Sequence, residues 1–461
     1  MAKGKSVWFC SSCGSESAKW LGRCPDCGEW NTFVEEKVTK ESKNTSTNRA
    51  IFDIKLSKPQ LLKEVTFVRE NRISMGNREI DRILGGGLVE GSLVLIGGEP
   101  GIGKSTLSLQ LALNKRGSAD NPFNTLYVSG EESCKQIKMR AQRLSNEENN
   151  CYVLSETLLE NIINTARETK PDLLIIDSIQ TIYSDTIESS SGSVSQVKEC
   201  ASSLLRFAKE FNTPVIIIGH ITKDGSIAGP KILEHIVDVV LQFEGESRGV
   251  YRILRSIKNR FGSTSELAVF EMTGNGLREV LNPSEMLIPM HDASLSGVAI
   301  AAMLDGTRPF LIEIQALVST AAYGTPQRSA TGFDYRRLNM LLAVLEKRAG
   351  FKLASKDVFM NVAGGLKVTD TGCDLAIVTA ILSSNFDIII PSNICFAAEV
   401  GLSGEIRPVA QIERRIAEAE KLCFKRIVIS SFNKESAFDN HSIEVIQVAD
   451  IASLCKMLFK G

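Results

Sequence analysis

Gly98-Glu99-Pro100-Gly101-Ile102-Gly103-Lys104-Ser105-Thr106 fits the pattern G-x-x-x-x-G-K-[ST] at every fixed position. Glycines at this spacing let backbone N–H groups wrap an anion. Lys104 can then reach the β- and γ-phosphates of ATP, and Ser105 can ligate Mg²⁺. A second set of residues suits a different ion. Cys10-x2-Cys13 and Cys24-x2-Cys27 are separated by ten residues, each pair in a glycine-containing knuckle. Two such knuckles place four thiolates tetrahedrally, the arrangement for Zn²⁺; two disulfides are the alternative. Trp8, Phe9, Trp20 and Trp30 are expected to roof that module.

The elements needed to hold the phosphate loop are legible around it. Leu93-Val94-Leu95-Ile96 reads as a buried strand and Thr106 to Leu113 as a helix. Strands are expected at Thr125–Val128, Cys151–Leu154, Leu173–Ile176 and Pro214–Ile218, and helices at 132–144, 158–170 and 194–212. Near-continuous apolar strands alternating with helices predict a parallel sheet covered on both faces, with ligands at the carboxyl ends of its strands. That rule selects Asp177, after four apolar residues, as an aspartate that holds Mg²⁺ through water; a helix N-cap is the alternative. It also selects Glu131 and Glu132 as carboxylates able to orient an attacking water. His220, Thr222 and Lys223 follow the next strand end, where a γ-phosphate could be sensed. Tyr251 to Gly262 alternates apolar and basic residues, which suggests a strand with one cationic face; a solvated edge strand is the plainer reading.

The chain has 461 residues, a net charge of −1 and 11 cysteines. That length suits two or three domains, and the charge excludes a uniformly basic DNA-coating protein. Seven scattered cysteines suit a reducing compartment. Neither a signal-peptide core nor a membrane-spanning apolar run is present, so the expectation is a cytoplasmic protein with no membrane partner. Residues 35–63 read as a flexible polar linker.

Gly76-x-x-Glu79-Ile80-Asp81-x-x-Leu84-Gly85-Gly86-Gly87-Leu88, leading into the phosphate loop, resembles the entry of RecA-like ATPases. Lys258-Asn259-Arg260-Phe261-Gly262 is similar to the five-residue signature of the bacterial RadA (Sms) DNA-repair family. The four-cysteine finger, the phosphate loop and this motif stand in that family's order. The resemblance implies an α/β fold: a zinc finger at 1–34, a RecA-like P-loop ATPase core at 64–282, and a Lon-protease-like α+β domain at 283–461. It implies a hexameric, ATP-driven motor on single-stranded and branched DNA, promoting branch migration with the RecA recombinase. It favours Glu131 over Glu132 as the carboxylate of hydrolysis. Lys258 and Arg260 would contact DNA or the nucleotide of a neighbouring subunit. An ATP-switched ring that recruits partners without translocating on DNA is the competing reading.

Glu399 to Val409 and Ile412 to Ile429 resemble the substrate-domain segment of Lon proteases, which use a serine–lysine dyad. The serine register falls on Gly372 and the lysine register on Arg415. Glycine has no nucleophile and arginine cannot act as a neutral base, so no proteolysis is expected; Cys373 would serve only if the register slips. Arg328, Arg336, Arg337, Arg348, Arg407, Arg414 and Arg415 could form a phosphate track or be ordinary surface charge.

Overall fold

The computed structural model describes residues 5–10, 15–38, 61, 70–114, 116–117, 122–145, 149–220, 232–244, 250–288, 295–321, 325–365, 367–434 and 441–459. Cys13, Thr222, Lys223 and most of the expected linker lie outside them. The chain divides into two compact units, Met1–Thr264 with Phe270–Glu279, and Ser265–Val269 with Val280–Gly461.

The first unit opens with a small antiparallel sheet of β1 (Lys5–Cys10), β2 (Glu16–Ser17) and β3 (Phe33–Val38), in the order β2-β1-β3. Cys10, Cys24 and Phe33 form its core, with Trp8, Leu21 and Cys27 packed against them. Phe9 is buried, as expected, but Trp20 and Trp30 are 49% and 69% exposed. They flank Gly22 rather than roofing the cysteines.

After β4 (Arg72–Ile73), α1 (Arg78–Ile83) and β5 (Leu88–Val89) come the elements of the nucleotide core. They are β6 (Leu93–Gly98), α2 (Lys104–Leu113), β7 (Thr125–Ser129), α3 (Cys134–Leu144), β8 (Cys151–Ser155), α4 (Leu159–Thr169), β9 (Leu173–Asp177), α5 (Val194–Phe211), β10 (Val215–His220), α6 (Ile232–Ile236), β11 (Val239–Glu244), β12 (Tyr251–Asn259), β13 (Leu267–Thr273) and β14 (Gly276–Glu279). The sheet runs β14-β13-β12-β11-β6-β10-β9-β7-β8. From β11 to β8 it is parallel. β6, β7 and β9 are buried at every residue, which is why their sequences are apolar without alternation.

Two sequence expectations are corrected here. The helix expected from Glu132 begins at Cys134, because Ser133 and Gln136 form a reciprocal capping box. That leaves Glu131 and Glu132 in the turn. β12 is neither an edge strand nor cationic on one face: it is hydrogen-bonded to β11 and lies inside the sheet next to β13. Arg252 and Arg255 are three residues apart and so point to opposite faces, Arg252 buried and Arg255 paired with Glu244.

The second unit contains α7 (Pro283–Leu287), β15 (Val298–Asp305), β16 (Arg308–Thr320), β17 (Arg328–Thr331), α8 (Tyr335–Ala349), β18 (Lys356–Val362), α9 (Asp374–Phe386), β19 (Ile394–Ala397), β20 (Glu399–Val400), β21 (Ile406–Arg407), α10 (Ile412–Lys421), β22 (Arg426–Ser430), β23 (Glu444–Val448) and α11 (Ile451–Phe459). Its seven-stranded sheet runs β17-β18-β16-β15-β19-β22-β23. Helix α9 is buried over its first ten residues, which is why its sequence lacks a polar face. Among the described residues no helix is long and apolar enough to cross a membrane.

Candidate active site and metal centre

Four neighbouring strand ends build the site. β6 runs into the glycine loop, and α2 begins at Lys104 with Gly103 as its left-handed cap. A Cβ at Gly103 would lie 2.9 Å from Met272 Cε, and one at Gly98 2.9 Å from Phe243 Cβ, so side chains are excluded from both. Lys104 Nζ donates to the carbonyls of Gly98 (2.8 Å) and Glu99 (2.9 Å). Burial pushes its ammonium down to about 8, against the opposing pull of Asp177 and Glu131. A cleft of about 390 Å³ is lined by Gly101, Gly103, Lys104, Ser105, Thr106 and His220, with Arg140, Arg143 and Leu144 from α3 and Met272, Thr273, Gly274 and Gly276 from the β13–β14 turn.

At the next strand ends, His220 closes β10 beside Gly98, and Asp177 closes β9. Asp177 is buried; burial raises its carboxyl, and the Tyr127 and Ser105 hydroxyls oppose that rise. It starts no helix: α5 begins at Val194 with Ser193 as its cap. A serine hydroxyl beside a carboxylate is a hard-oxygen donor pair that fits Mg²⁺.

Beyond β7, the adjacent glutamates have different surroundings. Glu132 is ion-paired with Arg140. Glu131 accepts from Ser178 Oγ at 2.9 Å and lies 3.9 Å from His220 Nε2. Sequence reasoning did not single out Tyr127, Arg140, Ser178 or Arg252. Tyr127 is bonded to Asp177, and Arg252 donates Nε to the Ile102 carbonyl at 3.1 Å, bracing the glycine loop from β12. Only the tertiary fold brings Arg252 to that loop.

Lys258 and Arg260 stand elsewhere. Asn259 pairs with Val239, which pairs with Val94 near the start of β6, whereas the glycine loop leaves the other end of that strand. From Arg252 to Lys258 the strand covers roughly 20 Å at about 3.3 Å per residue. Lys258 Nζ donates to the carbonyls of Glu234 and Val237, the latter at 2.8 Å, capping the end of α6. Arg260 is 3.3 Å from buried Asp238 with about half its side chain exposed. Arg72 donates to Phe261 O at 2.7 Å and Leu84 O at 3.0 Å, tying this motif to the end of α1.

In the N-terminal module the Sγ atoms of Cys10, Cys24 and Cys27 lie within 4.8 Å of one another, and Cys10 and Cys27 are 3.7 Å apart. Tetrahedral zinc with sulfur ligands at about 2.3 Å spaces them roughly 3.8 Å apart, so the cluster fits Zn²⁺.

In the second unit, Arg415 is buried and paired with Asp370, and also donates to Ala302 O at 2.7 Å. Gly372 N donates to Asp370 Oδ1 at 2.9 Å. Cys373 is fully buried and burial raises its thiol well above the usual range. Arg337 is paired with buried Asp374 and Arg407 with Glu405, so these arginines and Arg415 are engaged within the unit; Arg336 and Arg348 are exposed.

The chain was compared with family models, curated proteins and solved structures. A family model described as an AAA domain matches residues 58–226, a rubredoxin metal-binding domain matches 8–35, and subunit ChlI of Mg-chelatase matches 318–433. A crystal structure of a KaiC-like protein from Pyrococcus horikoshii OT3 is 20% identical, with a TM-score of 0.38, over 46% of this chain and 100% of that one. The chain is 49% identical to DNA repair protein RadA of Bacillus subtilis over 464 residues, covering 100% of both. It is 45% identical to the protein of the same name from Pseudomonas aeruginosa, again over 100% of both. An α/β P-loop core between a zinc-ribbon-type module and a Lon-like α+β domain, matched from end to end at these identities, places the chain in the RadA family of DNA-repair proteins.

Proposed function

We propose that the chain is a DNA-dependent ATPase motor acting on single-stranded and branched DNA in recombination and repair. In this reading it promotes branch migration with the RecA recombinase as a homo-oligomeric, hexameric ring. The observation that carries the catalytic part is the division of labour between two adjacent glutamates. Arg140 occupies Glu132, while Glu131 stands at the strand end next to Asp177 with one oxygen held by Ser178. Glu131 then orients a water and takes its proton as the water oxygen bonds to the γ-phosphorus and the β–γ bridge breaks. The backbone from Gly98 to Thr106 cradles the phosphates, and Lys104 exchanges its two carbonyl partners for phosphate oxygens. Ser105 and Asp177 would hold Mg²⁺, which neutralises charge developing on the phosphates. Cys10, Cys13, Cys24 and Cys27 would hold Zn²⁺ as a structural ion.

Lys258 and Arg260, one strand-length from the phosphate loop of their own chain, would serve DNA or a neighbouring subunit's nucleotide. The replacement of the serine–lysine dyad by Gly372 and by an Arg415 locked to Asp370 supports a Lon-like domain without proteolysis. The deciding experiment measures ATP hydrolysis with and without single-stranded DNA for the wild type, Lys104→Ala and Lys258→Ala. Stimulation in the wild type and its loss in both variants is the expected result. Turnover flat across a DNA titration would overturn the motor and favour a partner-recruiting ATP switch.

A further inference from the structure

Tyr127 lies on β7, two residues before the end of the strand, with its side chain on the same face as Ser129. β7 pairs with β9 so that Ser129 stands opposite Asp177 and Tyr127 opposite Ile175. The phenol therefore rises past Ile175 and meets the carboxylate: Tyr127 OH donates to Asp177 Oδ2 at 2.6 Å. The ring is 1% exposed and Asp177 9% exposed, so solvent has little part in this bond. The Ser105 hydroxyl is near enough to the same carboxylate to oppose the rise that burial gives it. Asp177 is thus gripped from the sheet interior by a phenol, with the Ser105 hydroxyl nearby.

We propose that Tyr127 is a positioning residue for the divalent cation bound with the nucleotide, fixing the Asp177 carboxylate so that it faces the Ser105 side of the cleft. This rests on the assignment of Asp177 to Mg²⁺ under the proposed function. A carboxylate on a strand end has a freely rotating χ2, and a donor on one oxygen removes that freedom. Partners that orient a metal-binding carboxylate without touching the metal change metal affinity by about 10–100-fold when removed. The Tyr127 hydroxyl bonds to the Asp177 carboxylate and not to the glycine loop, so its effect falls on the cation first.

The test measures Mn²⁺ binding to the full chain with bound ADP, read by electron paramagnetic resonance, alongside ADP affinity in EDTA. Tyr127→Phe is expected to weaken Mn²⁺ about tenfold or more while ADP affinity in EDTA stays at the wild-type value. In an Asp177→Asn background, already weakened for Mn²⁺, Tyr127→Phe is expected to add nothing, because the oriented group is gone. Wild-type Mn²⁺ affinity in Tyr127→Phe, with Asp177→Asn weakened, overturns the role of Tyr127 and leaves Asp177 in place. Wild-type Mn²⁺ affinity in Asp177→Asn overturns the assignment of Asp177 itself. Equal losses of Mn²⁺ and metal-free ADP binding in Tyr127→Phe mean a general collapse of the site and also overturn the proposal. Should Tyr127→Phe not fold, p-aminophenylalanine in place of Tyr127 keeps the ring and a weaker donor. Its Mn²⁺ affinity is expected to fall below that of the wild type, and an unchanged affinity counts against the role.

Discussion

Lys104 holds its ammonium between two carbonyls of its own loop, and burial there brings it down to about 8. Phosphate binding requires the charged form, so below pH 8 the free protein is already in the binding state. Above pH 8 a proton must be taken up on binding. Nucleotide affinity is therefore expected to be flat from pH 6.5 to 7.5 and to fall about tenfold per pH unit above 8, measured by fluorescence titration of a labelled ADP. The neighbouring glutamates offer a sharper contrast. Glu131→Gln should lower kcat about 10²- to 10⁴-fold with ATP binding retained, whereas Glu132→Gln should keep turnover within about tenfold. Single-turnover hydrolysis of both variants decides between them. The glycine loop, Asp177 and the two glutamates were readable because each lies in a local pattern: a fixed spacing, or a polar residue ending an apolar run. Tyr127 and Arg252 sit inside runs that look like ordinary strand. Their roles depend on partners 50 and 150 positions away, which no local window contains.

Strands and helices of the core were legible because burial on both faces leaves a continuous apolar signature. β12 lacks that signature and was misread. Its basic residues suggest a wet face, but the sheet continues past it to β13 and β14, and its cations find partners within the fold. Arg252 braces the glycine loop, Arg255 pairs with Glu244, and Lys258 caps α6. The start of α3 was misplaced because Glu132 extends the helical pattern backwards, while the capping box at Ser133 sets the first helical residue at Cys134. At this scale the Asp370–Arg415 pair carries a stability prediction. Asp370→Ala leaves a buried guanidinium without its carboxylate and should destabilise the second unit by about 3–5 kcal/mol, read as a lower urea midpoint for that transition.

Across the whole chain, the zinc-ribbon-type module and the P-loop core have separate sources of stability. The module's core is little more than Cys10, Cys24 and Phe33, while the P-loop core is built on long apolar strands. Metal removal by a strong chelator is expected to unfold the module alone. Near-ultraviolet circular dichroism should lose the tryptophan signal, because all three tryptophans (Trp8, Trp20 and Trp30) lie in that module. Nucleotide binding at the core should persist. The second unit has a different kind of constraint, set by the packing between Gly372 and Arg415. Gly372→Ser alone would drive a Cβ to 2.6 Å from Arg415 Nη1. Arg415→Lys alone would surrender the bonds to Asp370 and Ala302 while supplying no nucleophile. Either first step loses stability and neither creates a dyad. A serine and a lysine at these two positions therefore require both changes together, because each alone disturbs the packing that Asp370 and Arg415 share.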